Sequence, residues 1–207
     1  MKPLLPLATM TLVLAACAPL RDTREPDERA DATPRLATAG IAHVAIAEAF
    51  LTPSTPADNV DSPATWRAPD GHTWLFATAK EGGGLLLYDG DDGQLLRRIG
   101  RAGEAAGEFR RPNGVSVVGD LLFVVERDNR RVQVLSLPQL RTLAVFGREV
   151  LQQPYGLWVR TLSADALEVT VTDAYMAGKR ANGFDIPPPL PELARRMQRW
   201  KLSLHDG

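Results

Sequence analysis

The sequence predicts an all-β protein: a β-propeller of four-stranded blades, of the six-bladed type and here incomplete, with about three blades. Two observations lead there. Pro63, Pro112 and Pro154 open similar segments and lie 49 and 42 residues apart, the length of one blade, about 40 to 50 residues. Between them, short runs of β-branched and aliphatic residues alternate with Gly, Asp and Asn clusters at hairpin spacing.

The chain opens with "KPLLPLATMTLVLAAC", residues 2 to 17: one early Lys2, an uncharged apolar run, then small residues before a cysteine. That is the layout of a secretory signal, and the run is too short for a permanent membrane span. "LAAC" resembles a bacterial lipobox, so Cys17, the one cysteine of the chain, is expected to carry the lipid. Acyl chains then hold the protein to a membrane, and Ala18 at the next position resembles cargo sent to the outer membrane. Residues 18–40, charged and rich in Pro, Ala and Thr without a lasting period, read as a flexible tether. Residues 41–207 are left for the partial propeller, enough for a real core. With one cysteine there is no intramolecular disulfide, so this core stands alone. A net charge of −1 argues against nucleic acid as a partner, which requires a basic field.

Residues 43–50, "HVAIAEAF", are expected as the strand that joins the last blade of a complete ring, and to have no partner in this chain. In the first repeat, strands are expected near Trp74–Thr78, Leu85–Tyr88 and Gln94–Ile99, the last two joined by "DGDDG". That cluster lacks the ligand ladder and distal glutamate of an EF-hand and reads as a turn. In the second repeat the strands are Val115–Val118, Leu121–Glu126, Arg131–Leu137 and Thr142–Phe146. Gly119-Asp120 supplies a two-residue hairpin and "RDNR" the next turn. The third repeat, "QQPYGLWVRTLSADALEVTVTDAYM", is followed by a proline-rich stretch. There Leu190, Leu193, Ala194, Met197 and Trp200 fall on one helical face, predicting a short inserted helix before "RWKLSL" resumes the blade as a strand. Trp66 and Trp158 are expected in the core. His43, His72 and His205 lack a His or Cys at ligand spacing, so no zinc site is assigned.

"IGRAGEAAGEFRRPNGVSVV" followed by "LLFVVERDNRRVQVL" resembles the NHL-type repeat, whose glycine-punctuated loop ends in Phe-x-x-Pro-x-Gly and whose next strands carry an acid, Asn and Arg before Val-x-Val. More narrowly, "DNVDSPATW", "LFATAKEGGGLLLYD", "RPNGV", "VVERDNRRVQV", "QPYGLWV" and "VTDAYMAG" resemble, in order, the opening half of the β-propeller phytases and their phytase-like relatives. The resemblance implies an exported phosphomonoesterase of the 3-phytase type that uses Ca2+ to hydrolyse inositol phosphates. It implies Lys80 and Arg127 as phosphate ligands, Tyr155 as an aromatic residue lining the site, and Asp61 and Asp173 as metal ligands. Glu126 joins the metal set on geometric grounds, as the acid at an equivalent strand end. The chemistry is coherent: a phosphomonoester is anionic, and cations must cover its charge and lower the pKa of an attacking water.

Each residue also has a structural reading. Arg127 sits in a hairpin that NHL repeats use without catalysis, Lys80 suits a solvated turn, and Asp61 can fix a turn through its own backbone. The chain departs from the phytase pattern where Ser62 replaces a second acid and Ala174 a lysine. A non-catalytic NHL-like module that binds a partner on the cell envelope is the alternative function, and a propeller lactonase a third. Six blades at this period need roughly 240 to 300 residues, so a truncated copy is expected, with self-association of two copies as the way to complete the ring.

Overall fold

In a computed structural model, residues 40, 42, 44 and 46–204 are described. The signal segment, Cys17, residues 18–39 of the tether, His43 and His205 lie outside them. Residues Glu48–Gly207 form one unit by themselves. It contains every strand named below, so the propeller body starts a few residues after the expected position 41. The described residues of 43–50, the segment expected to join the last blade of a closed ring and to lack a partner in this chain, form no strand.

Two consecutive four-stranded antiparallel sheets come first. The first is β1 (Val60–Arg67), β2 (Thr73–Ala79), β3 (Gly84–Asp89) and β4 (Leu95–Ile99), in that order. The second is β5 (Pro112–Val118), β6 (Leu121–Glu126), β7 (Arg131–Ser136) and β8 (Thr142–Phe146). A third sheet has the order β13-β10-β9, from β9 (Pro154–Ser163), β10 (Ala166–Asp173) and β13 (Met197–Ser203). Between β10 and β13 the chain makes a small ribbon, β11 (Gly178–Lys179) with β12 (Asp185–Ile186), and a one-turn helix, Leu190–Leu193.

The first strand of each sheet lies next to the first strand of the following one, β1 by β5 and β5 by β9. Consecutive meandering sheets with neighbouring inner strands are blades around an axis, and the chain is therefore an incomplete β-propeller of three blades. Two apolar seams hold the blades together. Phe76, Leu85 and Leu87 of the first meet Leu122, Val124 and Leu135 of the second. Phe123, Val125, Val132 and Val134 of the second meet Leu167, Val169 and Val171 of the third.

The turns follow their residue chemistry. Gly119 takes the left-handed φ of +54° that a two-residue hairpin needs. In "DGDDG", Asp89 and Asp92 each accept the backbone N–H two residues on, from Asp91 and Gln94, which occupies these carboxylates as turn fixers.

Two expectations are corrected. The helix is a single turn, and Met197 and Trp200 lie in β13, where their spacing serves strand pairing to Thr172 and Val169. Trp66 is buried as expected, with Nε1 donating to Asp120, but Trp158 is 56% exposed. It lies on the side of the third sheet that faces away from the second blade.

Candidate functional site: the bulged ends of the inner strands

All three inner strands begin with the same irregularity. Val60 pairs with Ala79 and Pro63 with Ala77, leaving Asp61 and Ser62 opposite Thr78 alone. Pro112 pairs with Glu126 and Val115 with Val124, leaving Asn113 and Gly114 opposite Val125. Pro154 pairs with Asp173 and Leu157 with Val171, leaving Tyr155 and Gly156 opposite Thr172. Two residues facing one is a β-bulge, a device that re-aims a side chain at a sheet's rim.

This register corrects the proline alignment. The equivalents are Val60, Pro112 and Pro154, 52 and 42 residues apart, with Pro63 three positions further along its strand. The second strands end at Ala79, Glu126 and Asp173, spaced by 47 residues each time. Asp61, Asn113 and Tyr155 are therefore one residue seen in three blades, and Lys80, Arg127 and Ala174 are another. The second set repeats a backbone bond: Lys80 N–H donates to Asn59 O at 3.2 Å, Arg127 N–H to Arg111 O at 3.1 Å, and Ala174 N–H to Gln153 O at 2.9 Å.

The bulges are tied to one another. Thr78 Oγ1 accepts the Ser62 N–H at 3.0 Å and donates to Asn113 O at 2.8 Å, joining the first blade to the second. Gly114 brings the second against the third, since a Cβ there would stand 2.9 Å from Tyr155 O and 3.0 Å from Leu157 N. In the third blade Thr172 Oγ1 accepts the Gly156 N–H at 2.9 Å, as Thr78 does for Ser62.

At this end of the blades stand three cations, each beside an acid. Lys80 Nζ lies 3.5 Å from Asp61 Oδ2, too far for a tight hydrogen bond, and that oxygen has no other partner. Arg111, in the left-handed conformation at φ +48°, pairs with Glu81 while its Nε is enclosed and unbonded. Arg127 Nε donates to Asp128 Oδ1 at 2.8 Å. The Asn113 amide is fully buried with neither end hydrogen-bonded. Tyr155 is 44% exposed beside them. Arg111 and Asn113 were not picked out from the sequence; the signal was their place in "RRPNG", one repeat after "DNVDS".

The two other acids expected as metal ligands are placed differently. Glu126 is fully buried, and its carboxylate accepts from Arg131 Nε at 2.6 Å, Asn129 Nδ2 at 2.5 Å, Gln133 Nε2 at 2.8 Å and the Arg110 N–H at 3.0 Å. Arg131 in turn donates to the carbonyls of Glu104, Ala105 and Glu108, so the network clamps the loop leading into β5. Asp173 does the same in the third blade, accepting the N–H groups of Gln152 at 2.9 Å and Gln153 at 2.7 Å. Both acids hold the approach to an inner strand, and their carboxylate oxygens are taken up by these donors. Asp173 also lines a polar cleft of about 450 Å³ with Glu149, Gln152, Tyr175 and Arg195.

Calcium takes six to eight oxygen ligands, largely carboxylates. Among the described residues no three His, Cys, Asp or Glu side chains group closely enough to hold a metal ion. Asp61, with its one unbonded oxygen, does not make such a site, so the residues described do not fit a calcium ion by themselves. What this end of the blades does offer is cations on three strand ends, Lys80 as a point charge and Arg111 and Arg127 as planar forks, the donor set that phosphate oxygens take.

No family model matches the chain, and no curated protein matches it. Among solved structures it is similar to the hydrazine synthase of Kuenenia stuttgartiensis, at 13% identity and a TM-score of 0.42 over 73% of this chain and 51% of that one. It is also similar to the PQQ-bound form of an aldose sugar dehydrogenase from Streptomyces coelicolor, at 14% identity and a TM-score of 0.38 over 70% of this chain and 43% of that one. The chain thus spans about half the length of these two proteins. The propeller assignment rests on the sheet topology.

Proposed function

We propose that the bulged strand ends carrying Lys80, Arg111 and Arg127 bind the phosphate groups of a small anionic phosphoester, an inositol phosphate, and that the chain is a phytase-like phosphomonoesterase or the phosphate-binding portion of one. The observation that supports this is the gathering of Lys80, Arg111 and Arg127 at one end of the blades, beside Asp61 and Tyr155. An arriving phosphate dianion competes with Asp61, Glu81 and Asp128 for these cations. It wins by offering several charge-assisted hydrogen bonds at once, where each carboxylate offers one partner. Tyr155 supplies an exposed aromatic wall against which a polyol ring can rest. Export, with Cys17 as the lipid-bearing residue in a bacterial outer membrane, belongs to the same proposal.

A second reading is favoured by the structural engagement of Glu126 and Asp173: a non-catalytic NHL-like module that holds the anion without cleaving it. One experiment separates the two. Inositol hexakisphosphate is titrated into the chain from Glu48 onward, and phosphate release is followed with calcium and with chelator. Binding that weakens about tenfold in each of Lys80→Ala and Arg127→Ala, the equivalent of about 1.4 kcal/mol, supports the site. Calcium-dependent release then supports the esterase, and binding without release the module. Absence of binding, or binding indifferent to both substitutions, overturns the proposal.

A further inference from the structure

The register of the three sheets allows the side each blade turns toward the next to be compared position by position. In the first blade that side carries Trp74, Phe76, Leu85 and Leu87. In the second it carries Leu121, Phe123, Val125, Val132 and Val134, the last four between 0% and 4% exposed. The same positions of the third blade are Glu168, Thr170, Thr172, Met197 and Arg199. Lys201 pairs across from Glu168, and Trp158 and Arg160 of β9 stand opposite Thr170 and Glu168. Glu168 sits between two arginines, with Arg160 Nε at 2.9 Å and Arg199 Nη1 at 3.7 Å. The Arg160 guanidinium in turn lies over the Trp158 ring, 5.8 Å from its centroid. Where two blades present a seam, the third presents an ion-pair ladder with three cations to one carboxylate.

The outer side of the first blade is finished by other means. Leu75, Ala77, Ala79, Leu86 and Tyr88 form an apolar cluster there. The segment 50–58 runs over it. The Phe50 ring fills the space above Gly93, where a Cβ would come within 2.4 Å, and Asp58 accepts two bonds from Arg98 at 2.7 and 2.8 Å. Leu86 and Tyr88 are 1% and 4% exposed as a result.

We infer that both outer faces of this three-blade arc are terminal faces: the strap 50–58 occupies one, and the other is built for water and charge. Blade-on-blade stacking through an apolar seam stops at each. Polar outer faces are how stacked repeats end without exposing a core to solvent. A second copy is therefore not seated on the third blade, because two such faces each carry a surplus of two positive charges, and the apolar side chains they expose, Trp158 at 56% and Met197 at 64%, are set among those charges rather than joined into a seam.

The test is the mass in solution of the chain from Glu48 onward, a compact unit with its own seams, measured by light scattering at low and at molar salt. A monomer in both supports the inference. So does self-association of the quadruple variant Glu168→Leu, Thr170→Phe, Thr172→Val, Arg199→Val, which gives the third blade the second blade's surface. A wild-type dimer that survives molar salt and is broken by Thr170→Arg overturns it. If the quadruple variant does not fold, Thr170→Phe with Arg199→Val is measured instead, and a folded variant that stays monomeric also overturns the inference.

Discussion

Glu126 shows what a single carboxylate's neighbours decide. Its position at a strand end was readable, but its donors Arg131, Gln133 and Asn129 come together only when β6 and β7 pair and the loop before β5 folds over them. Removing its charge leaves Arg131 buried without a counter-ion, a loss on the order of 3 kcal/mol. Urea unfolding of Glu126→Gln should show that loss as a lower midpoint with the slope unchanged. Asp58 makes a second residue-scale prediction. Hydrogen bonding to Arg98 holds its carboxyl below the ordinary range, against burial that pushes it up. A depressed folded-state pKa contributes stability that is present above the unfolded value, about 3.9, and lost as pH falls through the folded one. The stability gap between wild type and Asp58→Asn should therefore be full near neutrality and close as the pH drops below about 4, as read from urea midpoints across pH.

Among the elements, the strands were the most legible part, because β-branched runs between Gly, Asp and Asn turns have few other uses. β6 and β8 run between the expected residues, and the hairpins at Gly119 and "DGDDG" are where the turn chemistry put them. The bulges were not legible, since two residues facing one is a relation between strands. Nor was the register of the first repeat: Val60, not Pro63, holds the place of Pro112 and Pro154, and a shared proline does not mark it. Met197 and Trp200 were read as helical because a spacing of three or four suits a helix face; pairing with β10 overrode it. Thr78 carries the element-scale prediction. Thr78→Val keeps the shape but leaves Asn113 O and the Ser62 N–H without their shared partner, at a cost of about 1 to 3 kcal/mol. Amide exchange at Ser62 should quicken in that variant while exchange in β10 does not.

For the whole molecule, the seams are the energetic unit. Phe123 is fully enclosed between the second and third blades. Phe123→Ala should cost roughly 3 to 5 kcal/mol and loosen the third sheet first, seen as faster exchange in β9 and β10 than in β2 and β3. The number of blades followed from the repeat period. The polarity of the outer faces did not, because alternation tells which residues share a side of a strand without telling what that side meets.

The propeller meander, its period and its turns were written in local patterns, since hairpin chemistry and strand alternation act within a few residues of chain. The role of each acid and cation was decided by packing: which donors reach Glu126 and Asp173, and which cations meet at the bulged strand ends. Those contacts join residues far apart in the chain, and hydrogen-bond satisfaction in a buried site is a property of all of them together.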